Sequence, residues 1–119
     1  MRGIRGAVTV EQNDKEEIIK AVQEMLGQIL TDNGISTEDI GAALFSATDD
    51  ITAAFPAFAA RQMPGWDLVP LFDAQQLYID NSIKKCIRVL LLVNTDKPQQ
   101  DIHHVYLGRA AALRPDITK

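Results

Sequence analysis

The run CIRVLLLVNT, residues 86–95, constrains this chain more than any other stretch. Read as a strand, it puts Cys86, Arg88, Leu90 and Leu92 on one face and Ile87, Val89, Leu91 and Val93 on the other. Both faces are apolar, so the strand belongs inside a sheet, with a neighbour on each edge. Arg88 is the exception within it. Desolvating an unpaired guanidinium costs several kcal/mol, so Arg88 needs an anionic partner, either an internal Asp or Glu or an anionic ligand.

Other elements are arranged around that strand. In MRGIRGAVTV, Ile4, Val8 and Val10 share one face, while Gly3, Arg5, Ala7 and Thr9 share the other. Arg5 stands between two very small residues, which leaves its guanidinium room for a ligand or for solvent. From Asn13 or Asp14 a helix begins with a capping-box pattern, carries Ile18, Val22, Met25, Leu26 and Ile29 at helical spacing, and stops at Asn33-Gly34. Ser36 to Asp39 offers a short helical start, and Ala42 to Thr48 reads as a second strand. Asp49-Asp50 marks a break, after which ITAAFPAFAARQM is alanine-rich with Pro56 at a helix start. Trp66 to Phe72 reads as a third strand ending near Asp73, and Ala74 to Ser82 as polar and irregular. Asp96-Lys97-Pro98 opens a short helix through QQDIHHVY, closed by Gly108, and RAAALRPD supplies a last strand. The expectation is a single α+β domain over 1–119, with a mixed sheet of about five strands packed on two or three helices.

A chain of 119 residues can bury a core without disulfides or structural metal, but it favours a shallow cleft or one completed by a neighbouring subunit. Its net charge of −4, with no concentrated run of Lys and Arg, argues against nucleic-acid and membrane-surface roles. The single cysteine forms no internal disulfide, MRGIRG lacks the apolar stretch of a signal peptide, and Val89 to Val93 is too short to span a bilayer. A soluble cytoplasmic protein is expected. His103 and His104 are adjacent, so on a helix they diverge and make a poor metal-ligand pair; no metal site is expected. Cys86 reads as a small hydrophobe on an apolar strand, not a nucleophile. What remains is Arg5, Arg61, Arg88 and Arg114, with Tyr106 at the end of the last helix. Forked guanidinium groups suit carboxylates, so the implied ligand is a small anion.

Five blocks carry a resemblance: RGIRGAVTVE at Arg2 to Glu11, SATDDITAAFPAFAAR at Ser46 to Arg61, KKCIRVLLLVNTD at Lys84 to Asp96, PQQDIHHVYL at Pro98 to Leu107, and LRPD at Leu113 to Asp116. Their order and spacing resemble the monofunctional chorismate mutases of the AroH class across nearly the whole chain. The resemblance implies a homotrimeric pseudo-α/β barrel with active sites at subunit interfaces. The implied reaction is the [3,3]-sigmatropic rearrangement of the chorismate dianion to prephenate, on the way to phenylalanine and tyrosine, with no cofactor. It also implies roles. Arg88 reaches the ether oxygen and a carboxylate, Arg5 and Tyr106 grip the side-chain carboxylate, and Phe55, Ala57, Arg61, Leu113 and Arg114 form the wall and the C-terminal cover.

The sequence departs from the pattern at one informative place. Gln76 stands where the family has a glutamate that meets the substrate hydroxyl beside Arg88, and Asp73 stands where a cysteine or small residue is usual. Gln76 can accept the hydroxyl proton but cannot neutralise Arg88. The expectation is therefore that the carboxylate has moved to Asp73, which needs an irregular backbone there; the alternative is that Asp73 is a solvated strand-end residue. Phe58 replaces a position often basic in the family. The competing functional reading is a catalytically weakened trimeric binding or regulatory protein for a small dicarboxylate.

Overall fold

The computed structural model describes residues 1–112. Its strands are β1 (Arg2–Thr9), β2 (Ile40–Ala47), β3 (Leu71–Gln75), β4 (Cys86–Val93) and β5 (Val105–Leu107), and its two α-helices are α1 (Lys15–Asn33) and α2 (Pro56–Arg61). The strands form one mixed sheet in the order β3-β2-β4-β1-β5. β4 is the middle strand, antiparallel to both β1 and β2, while β5 joins β1 and β3 joins β2 in parallel. The doubly apolar run is interior to the sheet, as its pattern requires.

Both helices cover one face. Asp14 caps α1 by accepting the Glu17 amide at 3.0 Å, and the Glu17 carboxylate turns back to the Glu11 amide at 2.6 Å. Gly34 ends α1 with φ of 60°, a left-handed conformation that glycine adopts without penalty. The stripe Ile18, Val22, Met25, Leu26 and Ile29 is wholly buried against Ile4, Val8, Ile87, Val89 and Leu91. Helix and sheet approach closely at Gly6, where an added Cβ would lie 2.8 Å from the Ile29 Cδ1. α2 begins at Pro56 as expected and buries Ala59 and Ala60, with Gln23 of α1 donating to the Ala59 carbonyl at 3.1 Å. The opposite face carries no α-helix among the described residues; there Ala110, from a 3-10 turn after β5, packs on Ala7, Cys86 and Tyr106.

Three expected elements differ. Trp66 to Val69 is not strand: the Trp66 amide bonds the Met63 carbonyl and the Val69 amide bonds the Trp66 carbonyl, so the chain coils through two turns, burying Trp66 and Val69 and exposing Leu68. The third strand starts only at Leu71, after Pro70, and runs through Asp73 to Gln75. The helix expected from Asp96 to Gly108 shrinks to a 3-10 turn, Gln99–Asp101, and Val105–Leu107 is extended beside β1. Tyr106 therefore sits on a strand, where its neighbour Val105 also prefers to be. Residues Gly108–Ala112 form a 3-10 turn instead of opening a last strand. Leu113 and Arg114 lie outside the described residues.

One buried polar side chain accounts for the placement of β5. Asn33, only 1% exposed, donates to the Ile29 and His103 carbonyls at 2.9 and 2.8 Å and accepts the His103 amide at 2.8 Å. It serves both backbone groups of a residue 70 positions away and draws that segment out straight before β5. Replacing it by Ala leaves those groups buried without partners, at about 1–3 kcal/mol for such a loss. Asn33→Ala is expected to lower unfolding free energy by about 2–4 kcal/mol, measured by urea denaturation.

Candidate active site

Register places the candidate residues. Ala74 pairs with Ser46, Ser46 with Arg88, Arg88 with Ala7, and Ala7 with Tyr106, so one row crosses all five strands on the face without α-helices. Arg88 stands at its centre between two small residues, of which Ala7 is buried in a small cluster with Cys86, Tyr106 and Ala110. Gln76 follows Ala74 by two residues and keeps the ladder by donating its amide to the Ala47 carbonyl at 3.0 Å. The adjoining row, Phe72, Leu44, Leu90 and Arg5, runs parallel to the first on the same face. Its three apolar members are large and exposed: Phe72 by 61%, Leu44 by 39% and Leu90 by 38%.

Polar atoms on this face lack partners. The Arg88 Nε, the Tyr106 hydroxyl and the Gln76 Oε1 are all buried with no hydrogen-bond partner among the described residues. Buried polar atoms are paired in the great majority of cases, so three on one face is a strong departure. No carboxylate among the described residues lies within ion-pair distance of Arg88; the one ion pair there joins Arg109 to Glu11, on the surface. Of the two partners open to Arg88, an internal acid is not the one supplied by these residues. Arg5 is partly buried on the same face, and its amide donates to the His104 Nδ1 at 2.9 Å.

Cys86 is wholly buried two residues before Arg88. Burial pushes its thiol up, and the nearby Arg88 guanidinium, which it hydrogen-bonds, offsets that only in part. The start of β4 is pinned by Asp50, which the sequence marked only as a break. Its carboxylate accepts the Lys85 amide at 3.0 and 3.1 Å and the Thr48 hydroxyl, while Thr48 Oγ1 accepts the Cys86 amide at 3.1 Å. Burial works against the charge on Asp50, but these hydrogen bonds outweigh it and hold the carboxyl below its usual range. The pin sets which residue begins β4, and so which side chain is third. No sequence pattern announced it, because the pairing is between a loop carboxylate and a backbone amide 35 residues away.

The remaining candidates gather elsewhere. Asp73 pairs with Phe45, a core residue, so its side chain lies on the helix face, and its Oδ1 accepts the Ala57 amide of α2 at 3.1 Å. β3 is regular through Asp73, and the irregular backbone that would turn its carboxylate toward the Arg88 face is not there. Phe55, 70% exposed, precedes α2, Ala57 is buried in its first turn, and Arg61 is exposed at its end. One chain thus carries two groups on opposite sides of its sheet: Arg5, Arg88, Gln76 and Tyr106 on one, and Phe55, Ala57, Arg61 and Asp73 on the other. Among the described residues no group of three or more His, Cys, Asp or Glu is placed to hold a metal ion, and no helix is long and apolar enough to cross a membrane.

A mixed five-stranded sheet with both α-helices on one face and guanidinium, phenol and amide groups on the other defines a small α+β domain. The chain belongs to the chorismate mutase type I family, whose model matches residues 1–117. It is 45% identical over 118 residues to the chorismate mutase AroH of Bacillus subtilis (strain 168), covering 99% of this chain and 93% of that one. Against the chorismate mutase AroH of Thermus thermophilus it is 49% identical over 118 residues, covering 98% and 96%. A solved chorismate mutase from Clostridium thermocellum superposes with a TM-score of 0.91 at 43% identity, over 94% of this chain and 99% of that one.

Because burial raises the Cys86 thiol, its thiolate fraction at neutral pH is smaller in the folded chain than in the unfolded one. The native protein at pH 7 should resist alkylation by iodoacetamide and react fully in denaturant, with labelling followed by mass spectrometry. Rapid labelling of the native chain contradicts this placement.

Proposed function

We propose that the open sheet face is where chorismate is rearranged to prephenate, with Arg88 as the catalytic residue. The observation that carries the assignment is the Arg88 guanidinium, centred on that face with its Nε buried and unpartnered among the described residues. The reaction is a concerted [3,3] shift, so it needs neither nucleophile nor proton-transfer group. Its barrier falls when the dianion is held in a compact chair and when negative charge growing on the ether oxygen is met by a donor. Positioning of this kind is worth up to about 7–11 kcal/mol. A preorganised donor adds about 3–4 kcal/mol by analogy with oxyanion holes. Arg88 supplies that donor, and its hydrogen bond strengthens only as the ether bond breaks. Arg5 and the Tyr106 hydroxyl grip a carboxylate in ground and transition states alike, and the Gln76 Oε1 accepts the substrate hydroxyl.

The two separated groups of residues suggest how the site is closed. In our reading three chains assemble so that the Arg88 face of one meets the α2 group of a neighbour, giving three shared sites per trimer, with Leu113 and Arg114 as cover. Phe72, Leu44 and Leu90 support this, since together they make a large exposed apolar strip beside the polar row, of the kind that marks an interface. We place the enzyme in the cytoplasm, in aromatic amino acid biosynthesis. The competing reading, a binding protein weakened by Gln76, predicts no loss of chorismate on incubation.

Two measurements test this. Arg88→Ala should lower kcat by about 10²–10³ while KM moves much less, followed by chorismate absorbance, and Arg88→Lys should also lower kcat strongly. An Arg88→Ala enzyme with undiminished kcat overturns the assignment. Phe72→Glu, in the exposed apolar strip two strands away from Arg88, should keep the native circular dichroism spectrum, sediment as a monomer and lose at least about 100-fold in kcat/KM. A fully active monomer contradicts the shared site.

A further inference from the structure

We propose that Asn13, just ahead of α1, is a positioning residue that clasps the loop 51–54 and so fixes where Phe55 stands. This rests on the reading of the site above, in which Phe55 belongs to the wall of a neighbour's cleft.

The argument begins with how little regular structure holds this loop. Residues 51–55 form neither helix nor strand, and α2 begins only at Pro56. Ile51 and Ala54 rest on the core, and the Ile51 amide reaches back to the Thr48 carbonyl at 3.0 Å. Thr52 and Ala53, between them, are exposed. Their amides both donate to the Asn13 Oδ1, each at 3.0 Å, and the Asn13 Nδ2 donates to the Thr52 Oγ1 at 2.7 Å. An asparagine before a helix ordinarily offers its oxygen to the first amides of that helix. Here Asp14 fills that role by accepting the Glu17 amide, and the Asn13 oxygen serves two residues 39 and 40 positions away.

The clasp is mounted on a firm base. The Glu17 carboxylate accepts the Glu11 and Gln12 amides at 2.6 and 3.4 Å, which braces the turn that carries Asn13. α1 itself is held by its buried apolar stripe, and Gln23, further along it, donates to the Ala59 carbonyl of α2 at 3.1 Å. Phe55 therefore lies between two ties to the same helix. Its ring is 70% exposed, so burial within the chain does not fix its direction. Thr52, Ala53, Ala54 and Phe55 border one open groove of about 530 Å³, so a shift of the loop moves the ring and reshapes the groove together.

The chemistry of the clasp says which variants keep it. Exposed hydrogen bonds add little to folding, because water competes for the same groups. Their effect is on the range of positions the loop visits, and apparent affinity falls with the fraction of molecules whose wall stands in place. A wall contact is made in ground and transition states alike, so its loss falls on KM more than on kcat. The two amides need only an acceptor oxygen, and the Thr52 hydroxyl can turn to donate to a carboxylate. Asn13→Asp accordingly retains the clasp, and Asn13→Ala removes it.

The test uses the full-length protein. Asn13→Ala should raise KM for chorismate about fivefold with kcat within about twofold of wild type, and Asn13→Asp should keep both within about twofold. In a Phe55→Ala background, Asn13→Ala should cost less than about twofold more in kcat/KM, since the ring it places is gone. In the protein without substrate, amide exchange at Thr52 and Ala53 should quicken about five- to tenfold in Asn13→Ala and remain near wild type in Asn13→Asp. An unchanged KM in Asn13→Ala, a loss in kcat in its place, or an equal loss in Asn13→Asp overturns the proposal. So does an undiminished effect in the Phe55→Ala background, or unchanged exchange at the two amides. The exchange result is read without chorismate, so it judges the clasp even if the wild-type chain proved inactive, an outcome that would sink the functional reading instead.

Discussion

The register of β4 against its two neighbours is the constraint on which the rest depends. Slipping Cys86–Val93 by one residue along β1 or β2 would exchange its faces, sending Arg88 into the layer now filled by Ile87, Val89 and Leu91. The cost of burying an unpaired guanidinium among Ile18, Val22 and Met25 of α1 forbids that arrangement. The same arginine that serves the proposed chemistry therefore helps select the fold, because it makes the alternative pairing expensive. Asp50 adds a second lock by holding the Lys85 amide just ahead of the strand.

Around that strand, two long-range bonds from side chain to backbone decide where the edges of the sheet fall. Asn33 straightens the approach to β5 and so delivers Tyr106 to the row that contains Arg88. Asp73 anchors α2 on the far edge. Neither contact contributes much apolar burial, and both orient elements too short to orient themselves: β5 has three residues and α2 six. Short elements near a site gain precision from such ties, since their own packing is too small to exclude nearby alternatives.

Much of this was legible in the sequence, for reasons that follow from the length of each signal. The period of α1 repeats over five turns between an aspartate cap and a glycine, and the apolar run of β4, broken only by Arg88, spans eight residues, so local pattern and tertiary packing agree. The segments that misled were short. Trp66 to Phe72 has strand-like composition, yet two successive turns bury Trp66 and Val69 from the same side. His103 to Tyr106 follows a helix-like start, but Asn33, far away in sequence, claims the backbone of His103. For the site, Arg88 was marked by its own incongruity in an apolar strand. Asp73 was not readable in the same way, because its facing depends on its pairing with Phe45, a choice that one-residue spacing within the strand cannot reveal.

The charge pattern on the open face completes the argument. The chain as a whole carries −4, yet the face holding Arg5 and Arg88 pairs neither with a carboxylate among the described residues. A glutamate in the place of Gln76 would balance part of that charge in the free protein and compete with the ligand for the same guanidinium. With an amide there, no carboxylate of the described residues offsets that charge. On the proposed reading of the site the dianion supplies the offset, and the energy released on pairing helps hold it in the chair. Placing Asp73 on the far side of the sheet keeps the one nearby carboxylate of β3 from cancelling that charge within the chain, while its acceptor oxygen still serves to cap α2.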